Sequence, residues 1–433
     1  MSEKITLSKS TGLKGEITVP GDKSITHRSV IFGAIANGVT RVKGFLGGED
    51  NLRTIEAFRE MGVKIEVSGD ELTIHGVGLH GLKPPTNTIY AGNSGTTARL
   101  LLGLLAGQKF ESTIDGDQYL QKRPMARVVK PLSQFGANFT DASGGINLKL
   151  LPLTVLPSEI KPIAYNLTIA SAQVKSALLL AGMYADGENI VTEPGPSRDH
   201  TEIMLKAMGA DIESKDLRVA FKGGQELSAI DIEVPGDISS AAFFIVAATI
   251  VPNSDLLIKN VGINPTRTGI LDVMNDMGAD ITLENERTVS GEPVADLRVK
   301  TSALHGIEIS GDTVPRAIDE FPIIALAASV ASGVTKVRDA HELRVKESDR
   351  IATTAANLTK LGVEVDEYNL GMDINGTDSL KGSDNLKSYG DHRIAMMLAI
   401  AAQIADTPCT IDDIECVQTS FPNFFELLKS INK

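Results

Sequence analysis

The chain has 433 residues, 42 % of them hydrophobic and 22 % charged, with a formal net charge of −13. That length exceeds what a single hydrophobic core sustains, so two domains are the default. The acidic balance, with no basic run interleaved with aromatics, excludes a nucleic-acid-binding or anionic-membrane class.

The opening MSEKITLSKS has no apolar core and is not expected to be a secretory signal. From Val19, VPGDKSITHRSVIFGAIA runs a polar, glycine-bearing turn into an apolar, alanine-rich helix pattern. The transition recurs as YAGNSGTTARLLLGLLAG from Tyr90, IASAQVKSALLLAG from Ile169, VPGDISSAAFFIVAAT from Val234, GDTVPRAIDEFPIIALAAS from Gly311 and YGDHRIAMMLAIAAQIA from Tyr389. Each is expected to begin a helix. The longest apolar run, Ala241 to Val251, is too short to span a bilayer and reads as buried core. After the first five openings comes a helix-period stretch, a bulky residue with glycine, and a β-alternating run: MGVKIEV, FGANFT, MGADIES, MGADITL and LGVEVDE. The repeat is about 70 residues, longer than solenoid repeats, so each is a small α/β subdomain. Cys409 and Cys416 have neither disulfide-framework nor zinc spacing, which fits a reducing cytoplasm and leaves no metal site expected.

The near-identical seams at Val19-Pro20-Gly21 and Val234-Pro235-Gly236 divide the chain into residues 20–234 and residues 1–19 plus 235–433, three repeats each. The fold class is α/β: two inverse α/β domains of βαβαββ repeats, with buried helices and exposed sheets. Small residues around helices such as Ser176 to Gly182 and Ala395 to Ala402 allow close packing, so their N-termini are expected to converge. Converging N-termini offer free N–H groups and dipole ends to a polyanion where the two domains face each other. The seams suit hinges.

Cations in this acidic chain sit singly in the glycine turns, as binding of a small anion requires. Lys23 and Arg28 share one helical turn, with Ser24 as the expected cap. Gly92-Asn93-Ser94-Gly95-Thr96-Thr97 clusters backbone and hydroxyl donors, and Arg123 precedes Pro124, which is suited to helix initiation. Ser171, Ala172, Gln173 and Lys175 open the third repeat, followed by Ser197 and Arg198. The other half supplies carboxylates: Asp319-Glu320, then Lys346-Glu347 within LRVKESDR, which ends at Arg350, and Asp391-His392-Arg393. His27, His200 and His392 are read as structural.

GDKSITHR, GNSGTTAR, QKRPM, SAQ, DEFP, LRVKESDR and GDHRIAMM, in that order, resemble the 5-enolpyruvylshikimate-3-phosphate synthase family over essentially the whole length. The resemblance implies transfer of the enolpyruvyl group of phosphoenolpyruvate to the 5-hydroxyl of shikimate 3-phosphate, with release of phosphate and without metal or organic cofactor. It assigns Lys23, Ser24, Arg28, Ser171, Gln173 and Lys346 to shikimate 3-phosphate, with Ala172 contributing backbone; Arg198 is added for the phosphate. It assigns Lys23, Gly95, Arg123, Gln173, Arg350 and Arg393 to phosphoenolpyruvate, and Asn93 joins the substrate-binding set. Arginines suit these groups because guanidinium gives bidentate contacts. Asp319 is assigned to the 5-hydroxyl and Glu347 to the proton at carbon 3, with Lys23 beside them in the catalytic group. Ligand residues shared between the halves imply closure over the substrates.

Thr419 stands where many family members carry a lysine that contacts phosphoenolpyruvate. SAQVK, Arg198-Asp199-His200-x-Glu202 and Asn264-Pro265-Thr266-Arg267 resemble the subclass tolerant of glyphosate, which is expected as an inhibitor at that site. The alternatives are a UDP-N-acetylglucosamine enolpyruvyl transferase and a non-catalytic anion-binding homologue. The first carries a mobile-loop cysteine in its second repeat region and Lys-Asn where this chain has Lys23-Ser24; the second predicts degraded acid/base positions. A cytoplasmic monomer is expected.

Overall fold

The computed structural model describes residues 3–141 and 143–433. Each opening turn leads into a helix whose sides are nearly all covered, and in all but the fifth a turn residue supplies its cap. Asp22, Ser94, Ser171, Asp237 and Asp391 accept a hydrogen bond from an N–H of the first turns of the helices Lys23–Ile35, Gly95–Ala106, Ala172–Gly182, Ile238–Ile250 and His392–Ala401. Ser24, expected as the first cap, lies inside that helix, and Asp22 does the capping through the Ile25 N–H. The fifth opening is broken in two, Thr313–Arg316 and Phe321–Ser329, with Pro322 in the first turn of the second helix and Asp319 in the gap.

The glycine after each outer helix has a conformational reason. Gly62, Gly136, Gly209, Gly278 and Gly362 have φ of 85°, 101°, 94°, 96° and 90°, the left-handed conformation in which glycine ends a helix. The bulky residue before each is the C-cap, and four of these, Met61, Met208, Met277 and Leu361, are almost fully buried.

The chain resolves into two compact units. One comprises Gly21–Val234 with Val289–Glu292; the other comprises Met1–Pro20, Pro235–Thr288 and Pro293–Lys433. In the first, three four-stranded sheets share one order. An entering strand runs parallel to the strand after the inner helix, and a hairpin completes the sheet, as in Ile89–Tyr90, Ser112–Asp115, Leu153–Leu156 and Asn138–Asp141. Asp231–Glu233 is the entering strand beside Asn37–Lys43. The second unit repeats the plan, and there Lys14–Thr18 enters beside Asp255–Gly262. Among the described residues its last sheet has three strands, and Lys4–Leu7 replaces the hairpin, antiparallel to Cys409–Asp412.

Inner helices pack inside each unit against one another and beneath the sheets. Gly103 lies against the backbone of Ala177, where a Cβ would sit 2.2 Å from the carbonyl oxygen, so the Gly95–Ala106 and Ala172–Gly182 helices touch main chain to main chain. Each unit has its own apolar cluster.

Candidate active site

In the first unit, the polar residues of the three opening turns engage side chains of their own and of neighbouring repeats. Lys23 Nζ pairs with Asp50, and its carbonyl accepts from Asn51 Nδ2 at 3.1 Å. Arg28 is turned inward and almost fully buried: Nε donates to Thr201 Oγ1 at 2.7 Å, Nη2 to Ser176 Oγ at 2.7 Å and Nη1 to the Ser24 carbonyl at 3.1 Å. Burial draws the guanidinium down to about 10, so it stays charged at neutral pH. These contacts position the first turn. Arg198 Nη1 reaches Ser24 Oγ at 3.4 Å.

Behind Lys23 a chain of hydroxyls ties the first turn to the second. His27 Nδ1 meets Thr54 Oγ1 at 2.7 Å, Thr54 meets Thr97 Oγ1 at 2.7 Å, and Thr97 donates to Ser94 Oγ at 2.7 Å. Burial, then the charges of Lys23 and Arg28, hold His27 well below the usual imidazole range, so it is a neutral member of this chain. Gly95 is the first residue of its helix, and the Arg123 guanidinium lies over it while Nη1 donates to the Asn93 carbonyl at 3.3 Å. Asn93 Oδ1 is buried and accepts no hydrogen bond among the described residues. Pro124 does not initiate a helix; Met125 is the N-cap and the helix is Ala126–Gln134.

Gln173 is fixed at both ends of its amide, with Oε1 accepting from Arg99 Nη1 at 2.6 Å and Nε2 donating to Thr96 Oγ1 at 3.0 Å. Arg99 also donates to the Pro124 carbonyl at 3.1 Å, which couples the Gln173 turn to the Arg123 segment. Ser171 caps its helix and Ala172 is its first residue.

In the second unit the carboxylates gather on one cation. Arg350, 1 % exposed, donates through Nη1 to Asp319 Oδ1 at 3.3 Å, through Nη2 to Glu347 Oε2 at 2.8 Å, and through Nε to Asp391 Oδ2 at 2.9 Å. Lys346 Nζ makes a second contact to Asp319 Oδ1 at 3.2 Å. Burial disfavours the charge on Arg350, and Asp391, Glu347 and Asp319 outweigh it, so its pKa is raised. Burial likewise opposes ionisation of Asp391, and Arg350 outweighs it, holding that carboxyl below the usual range. Arg393 stands at the start of the last inner helix, its N–H on Asp391 Oδ1 at 2.9 Å and its Nη1 3.9 Å from Glu320 Oε1.

Sequence reasoning did not single out Asp50, Arg99 or Thr201 as site partners. Arg99 had a signal: a lone charge in an otherwise apolar helix must be paired. Among the described residues there is no cluster of metal-ligating side chains, and no helix is long and apolar enough to cross a membrane.

A family model described as EPSP synthase (3-phosphoshikimate 1-carboxyvinyltransferase) matches residues 7–428. A 3-phosphoshikimate 1-carboxyvinyltransferase of Pelobacter propionicus is 57 % identical over 98 % of each chain, and one of Bacillus thuringiensis is 53 % identical over 100 % of each. The solved EPSP synthase of Acinetobacter baumannii superposes with a TM-score of 0.89 at 48 % identity, covering 100 % of this chain and 98 % of that one. The enolpyruvyl transferase NikO of Streptomyces tendae, 17 % identical over 100 % of this chain and 98 % of its own, shares the fold with a TM-score of 0.81.

Proposed function

The chain belongs to the EPSP synthase family, and from that premise we propose that Asp319 and Glu347 carry its proton transfers while Lys23, Arg123 and Gln173 hold its anionic substrates. Its activity is 3-phosphoshikimate 1-carboxyvinyl transfer: the enolpyruvyl group of phosphoenolpyruvate passes to the 5-hydroxyl of shikimate 3-phosphate, and phosphate is released.

The reaction needs a base for the hydroxyl and a group that lends and recovers a proton. As the 5-oxygen bonds to carbon 2 of the enol, Asp319 takes the hydroxyl proton and Glu347, which enters the step as the carboxylic acid, gives its proton to carbon 3. When the bond from carbon 2 to the phosphate oxygen breaks, Glu347 recovers the carbon 3 proton, and the hydroxyl proton leaves with phosphate. The observation that carries this reading is Arg350, which engages Asp319 and Glu347 from one buried guanidinium and so fixes both carboxylates. Lys346 is the adjustable partner: drawn to a bound anion, it releases its contact with Asp319 Oδ1, where the hydroxyl proton is to be taken.

Support for glyphosate tolerance is the set of subclass motifs and Thr419 in place of lysine. A cytoplasmic setting fits Cys409 and Cys416, both free thiols.

The test is phosphate release from the purified protein. Release should require both shikimate 3-phosphate and phosphoenolpyruvate and proceed without added metal. Comparable turnover with UDP-N-acetylglucosamine in place of shikimate 3-phosphate would overturn the assignment.

A further inference from the structure

Lys175 and Glu202, from the motifs SAQVK and Arg198-Asp199-His200-x-Glu202 singled out in the sequence, have no role in the reaction as described, yet they meet in the interior of the first unit. Lys175 projects from the Ala172–Gly182 helix and is 1 % exposed, and its Nζ lies 2.7 Å from Glu193 Oε2 and 2.7 Å from Glu202 Oε1. Glu202 comes from the His200–Ala207 helix, and Glu193 follows the strand Glu188–Thr192. The free oxygen of Glu193 accepts the Ser197 hydroxyl. One buried ammonium therefore anchors both ends of the segment 193–202, and Ser197 and Arg198 lie within that segment. Arg198 in turn reaches Ser24.

Such an arrangement is costly as a stabilising device. Two carboxylates and an ammonium must be stripped of water, and apolar packing of the same volume is often no less stable. What the ions supply is geometry, since an ammonium with two carboxylates at 2.7 Å fixes where the segment can lie. Burial works against the charge on Lys175 and the two carboxylates outweigh it, so the ammonium persists; burial also raises the Glu202 carboxyl.

We propose that Lys175, Glu193 and Glu202 form a buried clamp that positions Arg198 for the phosphate of shikimate 3-phosphate, with Glu193 as the positioning residue that holds the segment through Ser197. The proposal rests on the reading that Arg198 binds that phosphate. The clamp explains why a glutamate in one motif accompanies a lysine in the other: without Lys175, Glu202 would be a buried charge with no cation beside it.

The experiment compares dissociation constants of shikimate 3-phosphate and of unphosphorylated shikimate for the full chain and its variants, because a loosened fold weakens both and a displaced Arg198 weakens only the first. Glu193→Gln should weaken shikimate 3-phosphate by about ten-fold, the scale of a misplaced charged contact, and leave shikimate unchanged. Arg198→Gln is the control and should weaken shikimate 3-phosphate at least as much. If Arg198→Gln has no effect, the reading of Arg198 fails and the clamp fails with it. If Arg198→Gln weakens binding and Glu193→Gln does not, the clamp alone is overturned. Equal weakening of both ligands by Glu193→Gln also overturns it, as a general structural effect. Should Glu193→Gln not fold, Glu193→Asp keeps the charge opposite Lys175 and shortens the reach to Ser197 by one methylene; the same selective loss is expected, and parental affinity overturns the proposal.

Discussion

A methyl group on Gly95 would stand 3.0 Å from Arg123 Cζ and Nη2, closer than a Cβ normally approaches a neighbour. The guanidinium is the end of a flexible side chain, so Gly95→Ala should fold and displace Arg123 rather than disrupt the helix. The methyl then acts twice, moving a cation assigned to phosphoenolpyruvate and occupying space that glyphosate would need. We expect the phosphoenolpyruvate KM to rise by about three- to ten-fold, one weakened charged hydrogen bond, and the glyphosate inhibition constant to rise further. An unchanged inhibition constant refutes the steric account. Glu347 is tested by amide replacement. Glu347→Gln retains size and the contact to Arg350 while removing the transferable proton, so kcat should fall by roughly 10²-fold or more with a smaller change in substrate affinity. Near-normal kcat in the folded variant removes Glu347 from the mechanism. The residues in the glycine turns were legible because cations and hydroxyls stand out against apolar helices. Their partners were not: Thr201 lies 173 positions from Arg28 and Gln173 lies 74 from Arg99, separations at which no local pattern links two residues.

At the scale of elements, the paired signals of opening turn and helix-ending glycine were readable because each has a local physical cause: a capping side chain at one end and a left-handed φ at the other. The break between Thr313–Arg316 and Phe321–Ser329 had a signal in Pro322, which suits a first helical turn and disrupts a helix interior, although the opening reads at first sight as the start of a single helix. The break brings Glu320 to the N-terminus of Phe321–Ser329, where it accepts the Ser239 hydroxyl. Arg267 Nη2 donates to Ser239 Oγ at 2.7 Å and Asp237 Oδ1 at 2.9 Å, and Arg393 approaches Glu320 from the third inner helix. Three helix starts are thereby joined through one buried carboxyl. Burial raises the Glu320 pKa, with Arg393 opposing and Asp319 adding to the rise. A carboxyl whose folded pKa is raised holds more protons folded than unfolded, so stability falls as pH climbs from the unfolded value, about 4.3, through the folded one. Glu320→Gln cannot titrate. Relative to the parent, this variant should therefore gain stability as pH rises from about 4 towards neutrality, measured as urea midpoints across a pH series. A difference that is flat with pH, or of opposite slope, means that Glu320 is ionised in the folded protein at no cost.

Across the whole molecule, the chain ends are stitched into one unit while the other is built almost entirely from the stretch between the seams. Lys4–Leu7 pairs antiparallel with Cys409–Asp412, and Ser10 Oγ donates to Asn432 Oδ1 at 2.6 Å. Closing contacts more than 400 residues apart carries a large loop entropy unless the intervening chain is already compact, and Gly21–Val234 supplies that compaction with an apolar cluster of its own. We therefore propose that the two units respond separately to loss of the N-terminal strand. A chain beginning at Ser8 lacks Lys4–Leu7 and leaves Cys409–Asp412 with only Leu386–Lys387 beside it, a two-stranded sheet that is marginal by itself. Backbone hydrogen exchange followed by mass spectrometry should show peptides covering 386–387 and 409–412 exchanging roughly ten-fold faster or more, as local opening loses more than about 1.4 kcal/mol of protection. Peptides from Gly103 to Ala106 and from Val174 to Gly182, inside the other core, should exchange as in the parent. Equal acceleration in both sets would mean that the chain opens as a single cooperative body and that the two cores are not energetically separate.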